Sequence, residues 1–330
     1  MTDLILGIET SCDDTAVAIV DGEGTIRSSI VSSQLDVHEA FGGIYPEFAA
    51  RAHVASILPT VHEALTRAGV TPRDLRAIGV TRGPGLIGSL LVGLNTAAAL
   101  GIGWGIPTIG INHLRGHLRS ADLGERRVKY PATILLVSGG HTLLAYMKNT
   151  AEIELLGTTR DDSVGESYDK VGRMLGLGYP GGPAVDRLAK EGRAAIPFPR
   201  PMLDAGVDFS FSGLKSAVAR YMESVPDAVA GDVAASFVAS VMEVLVKKSR
   251  KVLKNYPSAS FVIVGGVAAS PQLREAAAGL CREMNVELCL PPLRWSTDNA
   301  AMIALATFDY LEHDVLPAPV AELQLTIRDF

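Results

Sequence analysis

Cysteine is scarce in this sequence. Only Cys12, Cys281 and Cys289 occur among 330 residues. So sparse and odd a set excludes a disulfide framework and fits a reducing, cytoplasmic compartment. A basic excess is missing too: 30 Lys and Arg stand against 36 Asp and Glu, for a net charge of −6. That excludes a chain-wide basic footprint for nucleic acid, so any RNA contact must use a local patch or a partner's surface. The opening "MTDLILGIETSCDD" turns acidic within a few residues and lacks the basic start and apolar centre of a signal peptide. Charge is absent altogether from 83 to 112, a run long enough for a membrane helix. Yet Gly88, Gly93, Gly101, Gly103, Gly105 and Gly110 interrupt it, and Pro107 falls within it. The pattern predicts a buried helix over 87–100, a Gly-rich loop and a buried strand "PTIGI", with no membrane span.

What is present is a compact α/β pattern. Hydrophobic residues make up 48% of the chain, enough for two domains with substantial cores. "DLILGIET", "DTAVAIVD" and "GTIRSSIV" alternate as strands joined by tight turns. The same plan returns at "ILLVSGGHTLLAYMKN", in register: Ser11 matches Ser138, Thr15 matches Thr142 and Ile26 matches Ile153. This predicts a duplicated α/β lobe, with residues 1–125 forming the first, 126–296 the second, and a final helix about 297–330 completing the first. Two similar lobes would enclose a cleft, the usual place for a ligand. Further helices are expected from His53 to Gly69, over "GDVAASFVASVMEVLVKKSRKVLKNY", and after "VGGVAAS". The basic stretch Lys247 to Lys254 suits a helix C-terminus, with an RNA-binding face as the alternative. "STDNAAMIALATFDYLE" should begin a helix capped by Ser296, Thr297 or Asp298.

Two histidines carry the first hint of chemistry. His113 and His117 in "INHLRGHL" are four apart, which puts both on one helix face and suits two metal ligands. Asp298 is a candidate third, since it sits at a helix start with no basic neighbour in sequence. One capping and one packed histidine is the plainer alternative. A zinc protease is disfavoured, because H-E-x-x-H needs a Glu where Leu114 stands. Four Gly-rich turns, in "ETSCDDT", "SGGHT", "GLGYPGGPAVD" and "VGGVAAS", suggest a nucleotide site in which backbone amides cradle phosphate and an acid binds ribose.

These stretches, with "RGPGLIGSLLVGL", "DDSVGESYDKVGRMLGLGYPGGPAVDRLA", "FSFSGLKSAV" and "TDNAAMIA", resemble the TsaD family of tRNA N6-adenosine threonylcarbamoyltransferases, once labelled O-sialoglycoprotein endopeptidases. The motifs run in family order from residue 7 to about 304. The resemblance implies an actin/Hsp70/sugar-kinase-like fold of two RNase H-like lobes with an inter-lobe cleft. It implies transfer of a threonylcarbamoyl group from threonylcarbamoyl-AMP to N6 of adenosine 37 in tRNAs reading codons that begin with A. His113, His117 and Asp298 would hold one divalent metal, Fe2+ with Zn2+ as the alternative. Leu136, Val137, Ser138, Gly139 and Gly140 match the substrate-binding loop, Asp169, Gly182 and Asp186 the nucleoside-binding positions for AMP or ATP, and Asp13 an acid near the phosphate site. The implied partners are tRNA, a paralogous TsaB-type subunit and a small TsaE-type ATPase.

Three positions depart from the family pattern. Arg115 stands where many members carry Glu or a small residue, and its long side chain is expected to reach solvent or RNA. Ser270 replaces an Asn that usually contacts the nucleotide, leaving fewer hydrogen bonds to offer. Asp14 replaces a Glu of some relatives. A kinase or ATPase on the same fold would share the phosphate turns without needing the two histidines and Asp298. A non-catalytic paralogue would be expected to lose those ligands.

Overall fold

The computed structural model describes residues 3–34, 43–123 and 127–322, together with Leu325, Thr326 and Asp329. It divides into two compact units, one of residues 1–127 with 297–330, the other of residues 128–296. In the first, β1 (Leu4–Glu9), β2 (Asp14–Asp21) and β3 (Ile26–Ser33) form an antiparallel meander, and β4 (Leu75–Gly83) and β5 (Thr108–Asn112) extend the sheet in parallel, in the order β3-β2-β1-β4-β5. In the second, β6 (Ala132–Val137), β7 (Thr142–Met147) and β8 (Ile153–Thr158) repeat the meander, and β9 (Ser260–Val264) and β10 (Glu287–Cys289) repeat the parallel extension. Both sheets thus have one strand order. The matched threonines also do parallel work. Thr15 bonds His53 Nδ1 at 2.7 Å and Ser56 Oγ at 2.8 Å on α1 (Pro46–Ala68), while Thr142 Oγ1 accepts from the Val164 amide that opens α4 (Val164–Met174). In each unit this residue ties the hairpin to a following helix.

Helix α2 (Ile87–Trp104) runs through Gly101 and Gly103 and ends at left-handed Gly105, so the Gly-rich loop expected after Leu100 is helical. By length and composition it could cross a membrane. Only one face is buried, where Leu90, Gly93, Leu94 and Ala97 recur every three or four positions against β4 and α1, while Ile87, Leu91 and Ile102 are exposed, so the helix expected to be buried is half a surface helix. Helix α1 begins at Pro46, ahead of the expected His53, because proline is well placed in a first turn.

The rest of the second unit's helices are α5 (Gly181–Ala189), α6 (Ser212–Ser224), α7 (Ala230–Asn255) and α8 (Pro271–Met284). The basic end of α7 is a knitted surface. Lys247 pairs with Asp204, Arg250 with Glu283, and Lys248 is buried with its ammonium donating to the carbonyls of Met202 and Ala205. Asp161 joins the segment after β8 to the start of α6, accepting from the Ser210 and Ser212 hydroxyls and the Phe211 and Ser212 amides. Burial nudges this carboxyl up, but those four donors outweigh it and hold it down at about 2. A depressed carboxyl adds stability above its unfolded value, near 3.9, and loses it as pH falls through about 2. Urea unfolding of the wild type and Asp161→Asn should therefore differ most above about pH 4 and converge towards pH 2. A gap that does not change with pH would show that the charge is not what matters there.

Candidate functional site

The first unit gathers its chemistry where β1, β5 and two helices meet. Helix α3 (His113–Arg119) starts immediately after β5, because Asn112 caps it by accepting from the Leu114 amide at 2.9 Å. The Asn112 amide also donates to the carbonyls of Thr326 at 2.7 Å and Asp329 at 3.0 Å. Asp298 arrives from the chain's other end, just before α9 (Ala300–Glu312). Two glycines let α9 come close. A Cβ on Gly7 of β1 would fall 2.3 Å from the Ala300 carbonyl oxygen, and one on Gly116 would fall 2.8 Å from Ile303. The cap of α9 is Asn299, whose side chain accepts from the Met302 amide at 2.9 Å. The capping role expected of Ser296, Thr297 or Asp298 therefore belongs to Asn299, and Asp298 stands outside the helix.

His113, His117 and Asp298 offer ligand atoms that all lie within 4.8 Å of one another. Asp298 Oδ1 is 3.0 Å from His117 Nε2 and 3.8 Å from His113 Nε2. The two rings stand edge to face with centroids 4.6 Å apart. His117 is fully buried; among the described residues its Nδ1 finds no hydrogen-bond partner, and its Nε2 faces the Asp298 carboxylate at 3.0 Å. A buried imidazole left this way is costly unless an electrophile takes its lone pair. The donor set of two histidines and one carboxylate suits a divalent transition metal with open positions.

Carboxylates crowd around this pair. Glu9 at the end of β1 is 1% exposed. Its Oε1 accepts from the Ser11 amide at 2.5 Å; its Oε2 accepts from Thr81 Oγ1 at 2.6 Å and lies 2.8 Å from His113 Nδ1. Burial pushes Glu9 up, but the charge and hydrogen bond of His113, with the Ser11 bond, hold it below the usual carboxylate value. Burial would lower His113, but Glu9 and Asp298 carry it up to about 9. Cys12 is pushed well up by burial and then by Asp13, Asp298 and Glu9, so it is a poor nucleophile. Asp13, half-buried on the same turn, and Asp14, raised by burial and by the charges of Asp13 and Asp298, complete an acidic surround that favours a cation. Arg115 does not reach solvent: it is 5% exposed, on the side of α3 near Tyr310, Asp309 and Asp329. Burial works against the guanidinium there, and the carboxyls of Asp309 and Asp329 oppose that effect.

The second unit holds a cavity of about 360 Å³. Of the positions matched to substrate binding, Gly139, Asp169, Gly182, Asp186 and Ser270 line it. Leu136, Val137, Ser138 and Gly140 do not; Leu136 and Val137 are wholly buried in β6, and the Ser138 hydroxyl accepts from the His141 amide at 3.1 Å within its own turn. Two of the lining residues have structural duties as well. Asp169 accepts from the Gly181 amide at 2.8 Å and so steadies the start of α5, while Ser270 caps α8. Burial raises Asp186, and the neighbouring Ser270 and Tyr168 hydroxyls draw it part of the way back. Tyr168 was not singled out in the sequence. Its spacing on α4 reads as core, and its ring does pack on Phe237 at 5.1 Å, yet it also lines this cavity.

The sequence pattern of the TsaD family, tRNA N6-adenosine threonylcarbamoyltransferase, matches residues 25–305. The chain is 48% identical over 309 residues to the tRNA N6-adenosine threonylcarbamoyltransferase of Halalkalibacterium halodurans, covering 92% of this chain and 90% of that one. It is 46% identical over 315 residues to the protein of that name from Clostridium botulinum, covering 93% of each. Among solved structures, the activator of the 2-hydroxyisocaproyl-CoA dehydratase from Clostridium difficile matches with a TM-score of 0.56 at 16% identity, over 95% of this chain and 97% of that one. That last likeness is of fold alone: the actin/Hsp70/sugar-kinase-like fold, consistent with the strand order repeated in the two sheets.

Proposed function

The chain belongs to the TsaD family and is a tRNA N6-adenosine threonylcarbamoyltransferase, and on that premise we propose how its residues divide the work. The donor is threonylcarbamoyl-AMP and the acceptor is N6 of adenosine 37 in tRNAs reading codons that begin with A. N6 attacks the carbamoyl carbon, the bond from that carbon to the phosphate oxygen of AMP breaks, AMP leaves with the electron pair, and N6 gives up a proton. His113, His117 and Asp298 hold a metal, and the observation that carries this is the convergence of their ligand atoms to within 4.8 Å of one another, with the His117 ring fully buried. A bound divalent ion supplies Lewis-acid polarisation of a carbonyl or phosphoryl oxygen. Two histidines with one carboxylate favour Fe2+, with Zn2+ as the alternative. Asp13, half-buried on the turn that follows β1, is the acid assigned to take the proton from N6.

The second unit binds the adenylate. Gly139, within the Ser138–Gly140 turn, receives the phosphate; Asp169, Gly182 and Asp186 receive the nucleoside. N6 of adenine is a weak nucleophile, so holding it in line with the carbonyl supplies much of the rate. The net charge of −6 leaves part of the tRNA surface to partners, a paralogous TsaB-type subunit and a small TsaE-type ATPase. The exposed Val54, Leu58, Ile87 and Leu91 of α1 and α2 offer such a subunit an apolar surface to cover.

The direct test is to incubate the chain with threonylcarbamoyl-AMP and unmodified tRNA, with and without those partners, and to assay adenosine 37 for the modified nucleoside. No product in any combination would overturn the reading. For the metal, elemental analysis should find about one equivalent of a divalent ion in the wild type and close to none in His117→Ala. Equal content in both would remove His117 from the ligand set.

A further inference from the structure

We propose that Glu9 is a positioning residue for the metal centre: it holds the proton of His113 on Nδ1 and so presents Nε2 as the ligand. This rests on the reading of His113 as a metal ligand. Glu9 sits at the end of the central strand β1, and its carboxylate is engaged from three directions, by the Ser11 amide, the Thr81 hydroxyl and His113 Nδ1. An amide N–H can only donate, and a hydroxyl beside a carboxylate donates to it, so the carboxylate is fixed as acceptor on every side. The nitrogen 2.8 Å from Oε2 must then carry a proton. The other nitrogen, Nε2, is the one directed at Asp298, 3.8 Å away. The arrangement is the carboxylate–histidine–metal relay that orients a ligand ring and raises its basicity. It also crosslinks three segments: β1, β4 through Thr81, and α3 through His113.

Glu9→Gln separates this role from mere space filling. The amide is nearly isosteric, but only its oxygen can accept from the Ser11 N–H. That forces its NH2 towards Thr81 and His113. The Thr81 hydroxyl can turn to accept, whereas His113 can accept only through an unprotonated Nδ1, which shifts its proton to Nε2, the ligand position. The opposite amide orientation sets two donors, NH2 and the Ser11 N–H, against each other in a buried site.

The experiment uses Zn2+ as a diamagnetic probe on the whole chain. Competition with a chromophoric chelator should give Glu9→Gln an affinity 10- to 100-fold below that of the wild type. Independently of any variant, 15N NMR of the Zn2+-loaded wild type should show His113 protonated on Nδ1 and metal-bound through Nε2. Zn2+ bound through Nδ1 of His113, or equal affinity in a folded Glu9→Gln, would overturn the role of Glu9 and leave the metal site standing. A wild type that binds no Zn2+, Fe2+ or other divalent ion would overturn the site itself and Glu9 with it.

Discussion

Asp298→Asn is expected to unfold at nearly the wild-type temperature and to lose threonylcarbamoyl transfer by roughly 10²-fold or more, the scale of removing a main electrostatic stabiliser. The two halves of this expectation have separate causes. Stability should hold because the neighbouring Asn299 caps α9, so the helix does not depend on residue 298. The side chain of Asp298 is also a third exposed, which leaves an amide room to keep its remaining contacts with solvent. Activity should fall because Asp298 is the only anionic ligand in the proposed set, 3.0 Å from His117 Nε2. Replacing it by a neutral amide oxygen weakens the hold on a divalent ion and leaves the imidazoles to bind it alone. Differential scanning calorimetry, metal analysis and a transfer assay on one preparation would decide. A variant with full activity and unchanged metal content would show that the third protein ligand is some other residue.

Gly139→Val is expected to weaken AMP binding by an amount on the order of 100-fold, again without loss of fold. A Cβ added at Gly139 meets no atom within 4 Å, so the protein itself has space for the side chain. The space belongs to the cavity that Gly139 lines with Asp169, Gly182 and Asp186. A branched side chain there would overlap a phosphate drawn to the turn, and overpacking of that kind costs about 1–3 kcal/mol, while tenfold in affinity is about 1.4 kcal/mol. Calorimetric titration with AMP gives the answer directly. Unchanged affinity would place the phosphate away from this turn.

How far the sequence reached depended on the range of the interactions involved. The meanders were legible because alternation and turn residues are local signals, and the register of Ser11 with Ser138 and Thr15 with Thr142 foreshadowed two sheets of one strand order. The spacing put His113 and His117 on one helix face, but it left a capping and a packed histidine as the plainer alternative until the family resemblance was weighed. What was hidden lay in contacts between distant segments. Nothing near Glu9 in sequence announces that Thr81 and His113 will converge on it. Arg115 looked like a side chain bound for solvent, since the acidic groups that allow its burial come from α9 and beyond. The cap was expected at Ser296, Thr297 or Asp298, and the backbone at the start of α9 gives it to Asn299 instead. Asp169 matches a nucleoside-binding position of the family, and it also steadies α5, because the turn before Gly181 folds back onto α4.

The split composition of the first unit governs the order in which the protein can be made functional. Its residues come from both ends of the chain, with 128–296 lying between them. On the ribosome, His113 and His117 emerge first, then every residue of the second unit, and only afterwards Asp298 and helix α9. A segment that can fold as a unit does so as it appears. The second unit can therefore be complete while the first still lacks Asp298 and the helix that closes on Gly7 and Gly116. On the proposed reading of His113, His117 and Asp298, capture of an ion by all three ligands waits until Asp298 has emerged, and a chain cut short before it carries the two histidines alone.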